Sequence, residues 1–490
     1  MGHRVSRPPD WLAAAGRASP WDELDVCVAG IRATGYTAAG VLLRFGAAVT
    51  VVDEQTGDWQ QERAADLRAR GATVLLGDAV PPGLPPTTQL VVTSPGFPPR
   101  APLPQAAVCA GVPVWGDVEL AWRLADRRTP WLAVTGTNGK TTTVRMLAAM
   151  LTAAGHRTVA AGNVGTPLLD AVLADPPYDV LAVELSSFQL HWTTTVEAYA
   201  SAVLNVAPDH LDWHGSMEAY AAAKGLVYRG EPYAVYNADD PWAGRLAAGK
   251  KRVRGFTLGR PAAGQLGVAD GVLLDRADGT DDADRPAPGA GGVELAALGD
   301  VRPYAPHNVA NALAAAALAR TFAAGLAVPP YAVREGLRGF TAEPHRITRV
   351  ADIAGVGWVD DSKATNPHAA TASIAAYESV VWVAGGLAKG ARFDDLVAET
   401  RQRLRAVVLL GRDRAHIKEA LTRHAPDVPV VEVAETETGA MAAVVNASAR
   451  LARPGDTVLL APACASMDMF DDYGARGDAF AAAVRDLAET

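Results

Sequence analysis

One segment constrains this chain more than any other. The apolar run WLAVT (131–135) leads into Gly136-Thr137-Asn138-Gly139-Lys140-Thr141-Thr142, and a helical pattern follows to Ala154. A strand that ends in a glycine-containing turn and reopens as a helix is the repeating unit of a parallel α/β sheet, since a crossover helix is what brings the chain back to lay the next strand alongside. Small residues in such a turn let backbone N–H groups converge on phosphate oxygens. Lys140 adds a mobile positive charge, and Thr141 a hydroxyl oxygen suited to Mg²⁺. The spacing departs from the common G-x-x-x-x-G-K-[ST] pattern, because two residues separate Gly136 from Gly139. The rival reading is an ordinary strand–turn–helix junction, and a lysine and hydroxyls directly after the glycine speak against it.

Alternating strand and helix patterns recur in three blocks. The first has strand patterns at 25–30, 48–52 and 90–93 and helical patterns at 35–45, 104–110 and 117–125. The second follows the phosphate loop with strands at 179–184 and 201–206 and helices at 216–228 and 308–324. The third has strands at 357–361, 380–385, 406–411 and 456–461. This predicts an α/β protein of three domains, each a mainly parallel sheet flanked by helices, in keeping with roughly 100–200 residues per domain. Residues 260–292 are rich in Gly, Ala, Asp and Pro and read as an irregular surface insertion.

Composition removes several alternatives. A net charge of −9 argues against a broad nucleic-acid surface. Cys27, Cys109 and Cys464 are far apart and form no C-x-x-C pattern, which predicts a reducing, cytoplasmic setting. No uncharged apolar run reaches the roughly 18–20 residues needed to span a bilayer. The start of the chain lacks a signal-peptide core, though Gly2 and Ser6 fit the loose myristoylation pattern.

Chemistry-bearing residues cluster after the phosphate loop. Glu184 ends an apolar strand, so in a parallel sheet it faces the same crevice as the loop, where a carboxylate suits Mg²⁺. Asp209-His210 follows the next strand pattern, and His210 offers an imidazole nitrogen to a metal. Lys224 lies 14 residues further on. A lone histidine is more often packed or exposed, and a lone helical lysine is usually solvated. Placement around one phosphate loop shifts that balance for Glu184 and His210 but not for Lys224.

At these residues the chain resembles the Mur ligases, the amide ligases of peptidoglycan precursor synthesis. GTNGKTT (136–142), GNVGTP (162–167), ELSSFQL (184–190) and NVAPDHLDWHGSMEAYAAAK (205–224) follow in that family's order. So do PHNVANALAA (306–315), AEPHRI (342–347), DDSKATNP (360–367) and APACASMDMFDDY (461–473). ELSSFQL, DDSKATN and ACASMDMF look like the branch that adds D-glutamate to UDP-N-acetylmuramoyl-L-alanine. The D-N-P-R motif of the lysine and diaminopimelate branches gives way to Gly385-Gly386-Leu387-Ala388-Lys389-Gly390.

The resemblance implies a Rossmann-like domain at 1–127 for the uridine-nucleotide sugar and a P-loop ATPase-like domain at 128–341 for ATP. A Rossmann-like domain at 342–490 would bind the amino acid and close on ATP. It implies a cytoplasmic monomer using ATP and two Mg²⁺ ions, with no nucleic-acid or membrane partner. Thr141 and Glu184 match one Mg²⁺ position, His210 and Lys224 a second; in the family that lysine is carbamylated. With Lys140 and Lys363, the residues Glu184, His210 and Lys224 form the implied catalytic set. Asn163, Ser186 and Gln189 match positions near the reacting carboxylate and the nucleotide-sugar phosphates. Asn308 and Asn311 resemble adenine-pocket residues, and Arg346, Asp361 and Lys363 the groups that close on ATP. Thr365, Lys389, Ser466, Met467 and Tyr473 match the D-glutamate pocket.

Gly30-Ile31-Arg32-Ala33-Thr34-Gly35, Asp53 and Ser94 fit a uridine-nucleotide site, with Thr34, Asp53 and Ser94 as substrate contacts. Three features depart from the family: Arg32 stands where glycine is usual, Tyr473 where phenylalanine is frequent, and the 260–292 segment is longer. Rival readings are a sibling ligase such as a folylpolyglutamate synthetase, a nucleotide-binding regulator that no longer ligates, and a simple kinase or ATPase.

Overall fold

The structure, a computed structural model, describes residues 7–277, 292–322, 326–434 and 439–489. Gly2 and Ser6 lie outside the described residues, as do 278–291 of the segment expected to be an irregular insertion. The described residues fall into two compact units. One takes in Met1–Val206, His210–Ala296 and Ala312–Gly336, the other Ala207–Asp209, Ala297–Asn311 and Leu337–Thr490.

The first unit holds two sheets. The N-terminal sheet comprises β1 (Asp25–Ala29), β2 (Ala48–Asp53), β3 (Thr73–Leu76), β4 (Leu90–Thr93) and β5 (Val114–Gly116), in the order β3-β2-β1-β4-β5. All its pairings are parallel. Helices cover both faces of such a sheet, so its central strands are apolar almost without alternation; Val26–Ala29 are all buried. Strand order reverses direction between β1 and β4, which opens a crevice beyond their C-terminal ends.

The second sheet contains β6 (Trp131–Thr135), β7 (Thr158–Gly162), β8 (Val180–Glu184), β9 (Ala200–Val203), β10 (Tyr233–Asn237), β11 (Val253–Phe256), β12 (Gln265–Ala269), β13 (Val272–Asp275) and β14 (Val293–Ala297). Its order is β14-β13-β12-β11-β10-β9-β6-β8-β7. β6 lies between β8 and β9, parallel to both, so the phosphate loop, Glu184 and the segment after Val203 leave the sheet at one edge.

The expectation of an irregular 260–292 segment is corrected here: β12 and β13 form an antiparallel hairpin. Asp270 and Gly271 form its two-residue turn, with φ of 52° and 81°. That is the left-handed geometry of a tight hairpin, for which Asp-Gly is a favoured pair. The alanine-rich helix expected over 308–324 runs from Pro306 to Ala319.

The second unit holds β15 (Thr348–Ile353), β16 (Val356–Asp360), β17 (Val380–Gly385), β18 (Leu404–Leu410), β19 (Val430–Glu432) and β20 (Thr457–Leu460). The order is β15-β16-β20-β17-β18-β19, parallel except for the edge pair β15–β16. Buried clusters occupy both faces, one around Trp382 and Leu409, the other around Trp358 and Phe480. The three central strands β16, β20 and β17 release the DDSKATNP, ACASMDMF and GGLAKG segments from adjacent C-terminal ends.

Candidate active site

The phosphate loop is strapped to the strand beside it. Thr137 N donates to Asn205 O (3.0 Å), Asn138 N to Asn205 Oδ1 (2.9 Å), and Asn205 Nδ2 to Asn138 O (3.2 Å). The loop ends at Gly139, φ 83°, and the helix Lys140–Ala153 begins. Lys140 Nζ curls over the loop to donate to Gly136 O and Thr137 O, both at 2.9 Å.

Glu184, 1 % exposed, is the centre of the site. Its Oε2 accepts from Thr141 Oγ1 (2.8 Å) and its Oε1 from Asn163 Nδ2 (2.9 Å). Asn163 N also donates to Glu184 O (3.1 Å). This approach needs the glycine before it: Gly162 has φ 104°, and a Cβ there would lie 2.3 Å from Glu184 O. Two residues on, Ser186 caps the helix Ser187–His191 through Gln189 N (3.1 Å), while Gln189 Oε1 accepts from Ser186 N (3.0 Å).

His210 stands in left-handed backbone, φ 54°, with its ring 4.8 Å from Phe188. His214 stacks on the same phenylalanine and hydrogen-bonds Ser187 Oγ through Nε2 (2.9 Å). Burial, then the charge of Lys224, pushes the His214 imidazole down to about 4. Lys224 is 1 % exposed, donates to Gly136 O (2.8 Å), and sits 4.4 Å from the centre of the Tyr220 ring. Tyr220 Oη in turn meets Thr137 Oγ1 at 3.1 Å.

The donor chemistry at Thr141 and Glu184, a hydroxyl and a carboxylate 2.8 Å apart, fits a hard divalent cation. Among the described residues no three His, Cys, Asp or Glu side chains form a metal cage, so such an ion would complete its shell with phosphate oxygens and water. Lys224 as an ammonium is no metal ligand; only conversion to an anionic group makes its position suitable.

In the N-terminal crevice, Asp53 is drawn into the fold. Its Oδ2 accepts from Ile31 N and its Oδ1 from Gln55 N, both at 2.9 Å. Thr34 lies in the first turn of the helix Ala33–Arg44 beside this turn, and Ser94 N bonds to Ala29 O (3.0 Å), bringing Ser94 to the same strand ends. Arg63, which sequence reasoning passed over, donates to Ile31 O (3.1 Å).

The second unit gathers its own set. Asp361 is buried; burial pushes its carboxyl up to about 6, against a hydrogen bond from Ser373 and the charge of Arg346. Arg346 bonds Glu343 (3.2 Å), and His345 Nδ1 meets Asp360 Oδ2 at 2.6 Å. Lys363 Nζ lies 3.8 Å from the centre of the Tyr473 ring. Thr365 N bonds to Lys363 O, and reciprocal Leu387–Ala465 backbone bonds bring the loop of Lys389 beside that of Ser466. Lys389 is exposed, in left-handed backbone at φ 49°, and Met467 is 57 % exposed. Asn311 Nδ2 donates to Asn308 Oδ1 (3.3 Å), and Asn308 Nδ2 to Pro303 O (3.0 Å).

Comparison with known proteins follows this geometry. The family description "Mur ligase middle domain" matches residues 134–319, and "Mur ligase, glutamate ligase domain" matches 345–464. A UDP-N-acetylmuramoylalanine–D-glutamate ligase of Streptomyces avermitilis is 59 % identical over 474 residues, covering 95 % of this chain and 99 % of the relative. A protein of the same name from Mycolicibacterium smegmatis is 51 % identical over 500 residues, covering 94 % and 96 %. Among solved structures, a pseudomurein peptide ligase type C from Methanothermus fervidus has TM-score 0.57 at 16 % identity, covering 95 % of this chain and 100 % of that one. The UDP-N-acetylmuramate-alanine ligase of Thermotoga maritima has TM-score 0.54 at 19 % identity, with the same coverage. These two share the fold; the domain matches and the near full-length identities go further, and the chain belongs to the Mur ligase family.

Proposed function

We propose that this chain is an ATP-dependent ligase that joins D-glutamate to UDP-N-acetylmuramoyl-L-alanine in peptidoglycan precursor synthesis. The observation that carries the reading is 59 % identity, over nearly the whole chain, to ligases named for that reaction. It acts in the cytoplasm, and through cell-wall biogenesis serves cell shape and division.

The L-alanyl carboxylate oxygen attacks the γ-phosphorus of ATP, the bond to the β-phosphate oxygen breaks, and ADP leaves an acyl phosphate. The D-glutamate amine then attacks the acyl carbon, loses a proton, and the C–O bond to phosphate breaks to release inorganic phosphate and the amide. Lys140 turns from the loop carbonyls to the γ-phosphate and spreads its charge. Thr141 and Glu184 would hold one Mg²⁺, and His210 with a carbamylated Lys224 a second; the ions would supply charge neutralisation at the phosphate oxygens.

Asn163, Ser186 and Gln189 are assigned to the reacting carboxylate and the sugar-nucleotide phosphates, and Thr34, Asp53 and Ser94 to the uridine nucleotide. Asn308, Asn311, Arg346, Asp361 and Lys363 are assigned to ATP, and Thr365, Lys389, Ser466, Met467 and Tyr473 to D-glutamate. On this reading 1–127, 128–341 and 342–490 are the respective substrate domains, with all three substrates held in one monomer.

The test is phosphate release from ATP and Mg²⁺ with UDP-N-acetylmuramoyl-L-alanine, adding D-glutamate, L-glutamate, meso-diaminopimelate or L-lysine in turn. Release with D-glutamate alone, and a product heavier by one glutamyl unit, is expected. Release with another amine instead assigns a sibling reaction, and amine-independent release refutes ligation.

A further inference from the structure

Two acidic residues of the helix Asp117–Leu124, two positions apart, are buried against the segment 186–195, yet they are built differently. Glu119 is saturated. Its Oε2 accepts from Thr194 N (2.8 Å) and Thr195 N (2.9 Å), and its Oε1 from Thr194 Oγ1 (2.9 Å), Thr195 Oγ1 (2.6 Å) and Arg123 Nε (2.8 Å). Burial opposes its charge, but the bonds from Thr195, Thr194 and Arg123 prevail and hold its carboxyl below the ordinary range. This is what a carboxylate retained for stability looks like.

Asp117 is the opposite case. Gln189 Nε2 donates to its Oδ2 (3.2 Å), and its Oδ1, fully buried, has no hydrogen-bond partner among the described residues. A buried oxygen left without a partner costs about 1–3 kcal/mol, so stability alone does not account for an acid here. Burial pushes its carboxyl up to about 6.

The one side-chain hydrogen bond it accepts runs toward the reaction. Gln189 holds Asp117 with one end of its amide and Ser186 N with the other, and Ser186 lies two residues past Glu184. The backbone beside it is docked closely: Gly116 N donates to Trp192 O (3.0 Å), and a Cβ on Gly116 would stand 3.0 Å from Trp192 Cβ. The end of β5 is thereby tied to the far end of the short helix that Ser186 caps.

We infer that Asp117 is a positioning residue for the nucleotide-sugar substrate: it orients the Gln189 amide, and through it the Ser186 turn, so that the carboxylate to be activated meets Glu184 and the phosphate loop. This rests on the assignment of Ser186 and Gln189 to that substrate. An acceptor oxygen at 117 is the requirement; a negative charge is not. Asp117→Asn keeps an acceptor for Gln189, whereas Asp117→Leu keeps the branching at Cγ and removes it.

Binding of UDP-N-acetylmuramoyl-L-alanine is measured by calorimetry without ATP, alongside KM for ATP and for D-glutamate. Asp117→Leu should weaken nucleotide-sugar binding about tenfold or more, as loss of a supporting hydrogen bond does elsewhere, with KM for ATP within about twofold of the wild type. Asp117→Asn should bind within about threefold of the wild type. In a Gln189→Met background, Asp117→Leu should have no further effect. Wild-type affinity in Asp117→Leu, equal weakening in Asp117→Asn, or equal shifts for ATP and the nucleotide sugar would each overturn the inference. Should Asp117→Leu not fold, Asp117→Ser, whose hydroxyl is too short to reach Gln189, is judged by the same outcomes. A wild type that binds the nucleotide sugar but releases no phosphate with D-glutamate would refute the reaction and leave the positioning role standing.

Discussion

Arg476 gives the sharpest stability prediction. The residue is 1 % exposed and donates from all three nitrogens: Nε to Ser362 Oγ (2.9 Å), Nη2 to Ser362 O (2.8 Å) and Nη1 to Cys464 O (3.1 Å). Ser362 Oγ passes its own hydrogen to Tyr473 O (2.7 Å), so one guanidinium ties the DDSK loop, the ACAS loop and the start of the helix Tyr473–Ala488. Burial pushes its guanidinium down from the ordinary arginine range to about 10, a cost to the cation of about 3 kcal/mol. Arg476→Met relieves that cost but strands three acceptors, at about 1–3 kcal/mol each. The midrange sum, about 6 less about 3, leaves a net loss of about 3 kcal/mol. At about 2–4 °C per kcal/mol for a domain of this size, the unfolding transition of the second unit should fall by about 6–12 °C. Differential scanning calorimetry reads that transition. Arg476→Lys keeps the charge but lacks the fork, and should fall between the two. A shift below about 3 °C in Arg476→Met would refute the reasoning, because the three bonds would then contribute no more than the desolvation they offset.

The remaining predictions concern the first unit. Lys140→Ala should abolish phosphate release while nucleotide-sugar binding by calorimetry stays near wild type; full activity would sink the ATP assignment. Gly162→Ala forces a Cβ to within 2.3 Å of Glu184 O at φ 104° and should cost about 2 kcal/mol or more, with kcat falling as Glu184 and Asn163 move apart. Burial pushes the Asp117 carboxyl from an ordinary 3.8 up to about 6, so the folded state favours its proton. Its contribution is present below about pH 4 and is lost as pH rises through about 6. Between pH 4 and pH 7.5 the wild type should therefore lose up to about 3 kcal/mol relative to Asp117→Asn in urea unfolding; parallel pH curves would contradict it. With ¹³C-labelled bicarbonate, a carbamate carbonyl signal absent from Lys224→Arg should appear in the NMR spectrum, and its absence from both would exclude the modified lysine.

Much of this architecture was legible because the central strands are buried on both faces and write themselves as apolar runs such as LAVT and VVWVA. The phosphate loop and Glu184 were legible for a related reason. Parallel pairing of β6 with β8 sends both C-terminal ends to one edge, so placement at strand ends was enough to bring Thr141 and Glu184 together. Strands such as YAVYN and VRGF escaped because they are short and mixed, and the β12–β13 hairpin was hidden by the composition around its Asp-Gly turn. Asp53 shows what residue type leaves unsaid: the acid placed for a nucleotide also accepts from Ile31 N and Gln55 N, a bracing role that no spacing announces.

The residues that hold the chemistry in place were the least legible. Asp117 meets its partner 72 positions away and Arg476 meets Ser362 114 positions away, and neither pair follows a helical or strand period. A polar group inside a protein is tolerated only where a specific partner meets it, and such partners are set by how separate elements dock. A chain therefore advertises groups able to do chemistry through their place at strand ends and loop starts. The groups that orient them become visible only when docking is known, and at Asp117 the visible sign is a carboxylate with one partner too few.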